Sequence, residues 1–209
     1  QDTFFPIRTI QLSGTFQYID QKEVESTLQV FIGEGFFSLD IEQVQQTISD
    51  KSWSDSVTIR RIWPDRLNIS IVEKQPVARW DNEHLISRKA VVYHANTDAF
   101  RQLPLVHAVN TSPAKILSRY YQLAIRFDAL DEKLVSVQMD SRGALDIELA
   151  SGLKIKVGRD DIEYKVERLA TIYQQQIQPR RDEIERLDLR YSNGFAVAWK
   201  KEVLRDRSE

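Results

Sequence analysis

The sequence predicts an α+β protein in two parts, and three observations carry that expectation. Around Pro64-Asp65, two stretches of alternating apolar and polar residues face each other. Ahead of them lie two segments with apolar residues at helical spacing. After Pro76 the chain changes to many short strands and closes on an Asn193-Gly194 turn.

The first part reads as a β-α-α-β-β unit. Ile7, Ile10 and Leu12 mark a short strand that stops at Gly14. Asp20 with Glu23 is a capping-box pair, because Asp satisfies orphan N–H groups and Glu reaches back. Val24, Leu28, Phe31 and Ile32 then follow a helical period that Gly33 ends. A second helix is expected from about Asp40, with Ile41, Val44 and Ile48 on one face, and Trp53 covering the end of the helix pair. Val57 and Ile59 precede the turn, and Leu67, Ile69 and Ile71 follow it, each alternating with polar residues. Proline fixes φ at the turn and Asp tolerates the next position.

The second part is expected to hold short strands at 77–80, 85–87 and 91–93, a long loop over 94–112 with a strand at 103–109, and a helix from Ser112-Pro113. Strands at 134–139, 144–149 and 153–157 follow. Asp160 or Asp161 should cap a helix that runs to Gln178, with Val166, Leu169, Ile172 and Tyr173 inward. Strands at 184–191 and 195–199 form the final hairpin. The expected domains are therefore 4–75 and 76–200, with a charged, disordered tail over 201–209.

Composition narrows the function classes. Across 209 residues the formal charge is −2, which argues against a nucleic-acid partner. At 42% hydrophobic the chain can bury a core. It has no cysteine, so disulfides, thiolate metal sites and cysteine nucleophiles are excluded together. The three histidines, His84, His94 and His107, lack ligand spacing and read as surface residues. There is no Gly-x-Ser-x-Gly elbow and no glycine-rich phosphate loop. Asp160-Asp161 is a helix start rather than a carboxylate pair for catalysis. No apolar run is long enough to span a membrane, and a start at Gln1 suggests an excised fragment. Trp53, Trp63 and Trp80 are expected in core or junction packing.

The strand Phe195-Ala196-Val197-Ala198-Trp199 has no Lys, Pro or inward charge to protect an edge. Two readings remain open from the residues. The strand is central and paired on both sides, or it is an edge kept open for a partner strand.

The β-α-α-β-β order, Gly35-Phe36-Phe37, Trp63-Pro64-Asp65-x-Leu67 and Glu73-x-x-Pro76-x-Ala78-x-Trp80 resemble the POTRA domain of the FtsQ/DivIB family of bacterial cell-division proteins. The resemblance continues to Asp188-Leu189-Arg190-Tyr191 and Gly194-x-Ala196-Val197-x-Trp199, so it covers nearly all of Phe4 to Trp199. Pro104 to Asp131 matches only loosely.

This resemblance implies a non-enzymatic divisome scaffold with no cofactor. It implies the periplasmic part of a single-pass inner-membrane protein at the septum, preceded by a cytoplasmic tail and a transmembrane helix. Direct binding of FtsB, itself paired with FtsL, would occur by strand addition to the last strand. The POTRA unit would serve localisation through upstream partners such as FtsK. Carried over residue by residue, Tyr191 packs on the FtsB strand, and Arg190 and Arg142 suit its carboxylates. Ile172 supports the site, and Asn193, Gly194, Phe195, Ala196, Val197, Ala198 and Trp199 form the docking turn and strand. Ser192-Asn193 and Phe195 depart from the family's usual Asp-Ser and small residue. The alternatives are a POTRA module of an outer-membrane assembly or secretion system, and a periplasmic hydrolase with a deep pocket.

Overall fold

The computed structural model describes residues 5–49, 51, 53–191 and 194–200. Phe4, Ser192, Asn193 and the expected tail over 201–209 lie outside them. The chain divides into two compact units, one ending at Gln75 and the other beginning at Pro76. Each has its own sheet.

In the first unit, β1 (Thr9–Ser13), α1 (Gln21–Leu28), α2 (Ile41–Ser49), β2 (Ser54–Ile62) and β3 (Arg66–Glu73) form a three-stranded sheet in the order β1-β3-β2 under two helices. β1 runs parallel to β3, which the helical crossover permits, and β2 pairs with β3 antiparallel through the hairpin. Val24, Leu28, Val44 and Ile48 from the helices meet Leu67, Ile69 and Ile71 from the central strand, all buried.

The capping box forms only in part. Asp20 Oδ1 accepts from the Lys22 N–H at 2.9 Å. The Glu23 carboxylate instead takes the ammonium of Lys51, a charged donor that outcompetes its own backbone. Trp53 stacks on Tyr18, with ring centroids 4.3 Å apart. Glu73 has a structural role. Its buried carboxylate accepts from Thr15 Oγ1 at 2.6 Å and from the N–H groups of Gln17, Tyr18 and Ile19 at 2.7–2.8 Å. One side chain thereby ties the β1–α1 loop to the end of β3.

The second unit holds β4 (Pro76–Arg79), β5 (His84–Ser87), β6 (Val92–His94), β7 (Leu105–Ala108), α3 (Pro113–Asp128), β8 (Leu134–Met139), β9 (Leu145–Leu149), β10 (Lys154–Gly158), α4 (Ile162–Ile172), β11 (Ile184–Asp188) and β12 (Ala196–Trp199). Their sheet has nine strands in the order β12-β11-β10-β9-β8-β7-β4-β5-β6. Apolar residues from alternate positions of β7 to β11 pack with Ile116, Leu123 and Phe127 of α3 and Val166 and Leu169 of α4.

Four expectations need correction, three of them in this half. α4 ends at Ile172, not Gln178; a π turn over Tyr173–Ile177 and a 3-10 turn over Gln178–Glu183 follow. Pro179 contributes to this, because it lacks the N–H that would bond the Gln175 carbonyl one turn back. Neither Asp160 nor Asp161 caps α4 with its side chain. Asp161 adopts φ +53°, its carbonyl accepts from Lys165 at 2.9 Å, and Asp160 pairs with Arg159 at 3.2 Å. Ile172 is half-buried rather than inward. Trp63, expected in packing, is 67% exposed at the tip of the first unit's hairpin.

Where α4 unwinds, a buried polar group holds the chain. Glu132 accepts from Tyr173 Oη at 2.7 Å, Arg181 Nη1 at 2.9 Å and Ser151 Oγ at 3.2 Å. Burial and the bond to Glu132 push the Tyr173 phenol far above its ordinary value.

Candidate functional site

β12 is the terminal strand of the large sheet and, among the described residues, pairs with β11 alone. The reading of a central strand paired on both sides is therefore replaced by that of an edge. Lys200 N–H donates back to Glu183 O at 2.9 Å. Because amide directions alternate along a strand, the N–H of Val197 points away from β11, toward the open edge.

The two faces of β12 differ. Phe195, Val197 and Trp199 pack against the helix-side core. Ala196 and Ala198 lie on the other face, opposite Asp188 and Arg186. That face carries two cross-strand rows. One runs His107, Gln138, Asp146, Lys156, Asp188, Ala196, and the next runs Ser136, Glu148, Lys154, Arg186, Ala198. Both rows thus end in a small side chain at the edge. Arg186 is exposed, and neither it nor Lys154 makes an ion pair among the described residues.

The turn before β12 is held from three sides. Asp188 Oδ1 accepts from the Arg190 N–H at 3.1 Å, an Asx-type bend that takes the chain off the ladder. The Arg190 guanidinium grips the same carboxylate, Nε to Oδ1 at 2.8 Å and Nη2 to Oδ2 at 2.6 Å. That bond holds the Asp188 carboxyl below its usual range, and Asp188 raises Arg190 in return. The Arg190 stem lies over Gly158, where an added Cβ would sit 3.1 Å from Arg190 Cγ, at a φ of +83° that favours glycine. From α4, Arg168 Nη2 donates to the carbonyls of Gly194 at 2.7 Å and Tyr191 at 3.4 Å. Tyr191 is left 58% exposed. It does not share the buried face of Leu187 and Leu189, because the bend at Asp188 breaks the period of two.

Arg142 sits exposed in the β8–β9 turn, and its N–H donates to Asp140 Oδ1 at 2.8 Å. Asp140 and Ala144, on either side of that turn, line a groove of about 340 Å³ with Arg190, Lys156 and Gly158. The structure thus brings the Arg142 turn and Arg190 to one end of the sheet. Arg190 is committed to Asp188 rather than open to a partner with its whole fork. Ile172 lies one helical turn after Arg168. Asn193 lies outside the described residues.

Two residues escaped the sequence reading. Arg168 spans the last turn, and Arg180 places its guanidinium 4.2 Å from the centre of the Trp199 ring while pairing with Glu183 at 3.1 Å. The available signals were a basic residue between the inward-facing Val166 and Leu169, and an arginine just after Pro179.

No group of three or more His, Cys, Asp or Glu able to hold a metal occurs among the described residues. No helix among them is long and apolar enough to cross a membrane.

Comparison with known proteins agrees with this architecture. Residues 5–74 match the FtsQ-type POTRA domain, and residues 78–190 match the C-terminal domain of cell division protein FtsQ/DivIB. The chain is 30% identical over 196 residues to cell division protein FtsQ of Cellvibrio japonicus, covering 93% of this chain and 61% of that protein. It is 29% identical over 196 residues to the Coxiella burnetii protein of the same name, covering 93% and 81%. With the Aliivibrio fischeri protein the identity is 27% over 206 residues, covering 98% and 80%.

Proposed function

Since the chain belongs to the FtsQ/DivIB family of cell-division proteins, we propose that it is a non-enzymatic divisome scaffold that takes up a strand of FtsB along β12. The observation that carries this reading is that β12 is the terminal strand of its sheet and, among the described residues, pairs with β11 alone. Main-chain bonds to an added strand supply sequence-tolerant affinity, and side-chain pockets supply choice.

In this reading Tyr191 stands beside the incoming strand as an exposed aromatic anchor. Tyrosine gives large contact area and a hydroxyl at small entropic cost. Arg168 and the Asp188–Arg190 pair fix the turn that presents it. Ala196 and Ala198 leave space on the open face, so that partner side chains can approach Arg186 and Asp188. Arg142 and Ile172 flank the site, and FtsL joins through its pairing with FtsB.

The protein acts in the periplasm at the septum, carried by a single transmembrane helix of the inner membrane. The first unit serves localisation through upstream proteins such as FtsK. Calorimetric titration of the 209-residue chain with the periplasmic part of FtsB tests the reading. A saturable one-to-one complex is expected, and absence of any complex would overturn it.

A further inference from the structure

The first unit exposes aromatic side chains at one end. Trp63, at the hairpin tip, is 67% exposed, Phe37, in the turn between α1 and α2, is 70% exposed, and Ile62 is 43% exposed. Phe5 joins them: its ring centroid lies 6.3 Å from that of Phe37 and 6.4 Å from that of Trp63.

Three separate segments meet to build this patch. Because β1 is parallel to β3, with Thr9 opposite Arg66, the segment leading into β1 lies at the same end as the hairpin tip. Arg8 N–H donates to Asp65 O, and Phe36 N–H to Phe5 O, both at 2.8 Å. Phe5 holds a φ of +54°, an unfavourable conformation for a bulky residue. The fold thus accepts backbone strain beside rings that contribute little to the core. Such outliers cluster where a surface is used.

The setting points to one kind of occupant. The rings stand on the hairpin tip, in the α1–α2 turn and in the segment leading into β1. Arg60 and Arg66 flank Trp63 and are exposed. Arg66 lies 3.9 Å from Asp65, whose side chain is mostly covered. Tryptophan and phenylalanine with a rim of arginine match the boundary between anionic headgroups and acyl chains, where aromatic rings insert and cations face phosphate. We propose that Trp63, Phe37 and Phe5 form a bilayer-contacting tip that rests the first unit on an anionic membrane surface.

The test uses the 209-residue chain and sedimentation with vesicles of phosphatidylglycerol and phosphatidylethanolamine at low salt. The chain is expected to partition onto these vesicles, and less onto phosphatidylcholine or at high salt. Trp63→Ala and Phe37→Ala should each weaken partitioning about tenfold, as expected for removing one inserted ring. Both should keep the wild-type thermal melt. Ile125→Ala removes a side chain that is 73% exposed on α3 and should partition as wild type. Lipids brominated near the headgroup should quench tryptophan fluorescence, and Trp63→Phe should bind yet lose that quenching. A chain that ignores anionic vesicles would leave the patch to a protein partner and overturn the proposal. So would unchanged partitioning in Trp63→Ala, or quenching that survives in Trp63→Phe.

Discussion

Arg168 on α4 and Gly194 just ahead of β12 are joined by a hydrogen bond of 2.7 Å from Nη2 to the glycine carbonyl. The same nitrogen reaches the Tyr191 carbonyl on the other side of the turn. A helix on the sheet's covered face thereby fixes where the last strand begins and where Tyr191 points. In the proposed function this makes Arg168 a positioning residue.

Arg168→Ala should lower affinity for the FtsB segment about fivefold, roughly 1 kcal/mol, the order expected for one charge-assisted bond with part of its exposure discounted. The melting temperature should move little. Arg168→Lys keeps a charge but not the two-carbonyl reach, and should restore less than half of the loss. Titration calorimetry and a thermal melt on each variant separate a positioned turn from a destabilised fold.

Tyr191→Ala should cost about 2 kcal/mol of FtsB binding or more, which is roughly thirtyfold. Its 58% exposure predicts an unchanged melt. Folded Tyr191→Ala with wild-type affinity would remove the residue from the site.

Arg186 lies opposite Ala198, one strand in from the edge. A strand added to β12 lies about 10 Å from β11, within reach of an arginine passing over alanine. Arg186→Glu should weaken binding about fivefold at low ionic strength, with the difference vanishing near molar salt. Affinities measured across a salt series test this, and equal effects at every salt concentration would argue for a steric cause.

Glu73 sets an acid limit on the first unit. Burial alone would raise its pKa, but the hydroxyl of Thr15 and the backbone N–H groups of Gln17, Tyr18 and Ile19 together hold it lower. The folded chain therefore binds this proton less readily than the unfolded chain. The stabilisation is complete above the unfolded value, ~4.3, and is lost as pH falls through the folded value. Glu73→Gln should cost about 2 kcal/mol at neutral pH and should flatten the fall in stability below that range. Urea melts across pH, on both chains, give the comparison.

Much of the fold was legible because short-range pattern and packing agree. Val57 and Ile59 do oppose Ile71 and Ile69 across the hairpin. Ser112 accepts from the Lys115 N–H at the start of α3. The order of the large sheet was not legible, because β10 pairs with β11 across α4, and β4 with β7 across two other strands. Those parallel pairings depend on long-range packing that leaves no local period. Local patterns also misled where a single bond or proline overrode them. The strand expected over 184–191 ends at Asp188, where the bend turns Tyr191 outward. The helical period placed Ile172 inward, but the chain unwinds ahead of Pro179. At the site, the bare strand was visible in the residues, whereas Arg168 was not, because its role exists only once α4 lies beside the last turn.

The central claim is strand addition to β12, and hydrogen exchange at the Val197 amide tests it most directly. In the unbound 209-residue chain the alternation of amides along β12 turns this N–H away from β11. Saturation with the periplasmic segment of FtsB should slow its exchange about a hundredfold, as a new ladder bond to the partner's carbonyl forms. Saturated binding that leaves Val197 exchanging at its unbound rate would contradict strand addition at this edge.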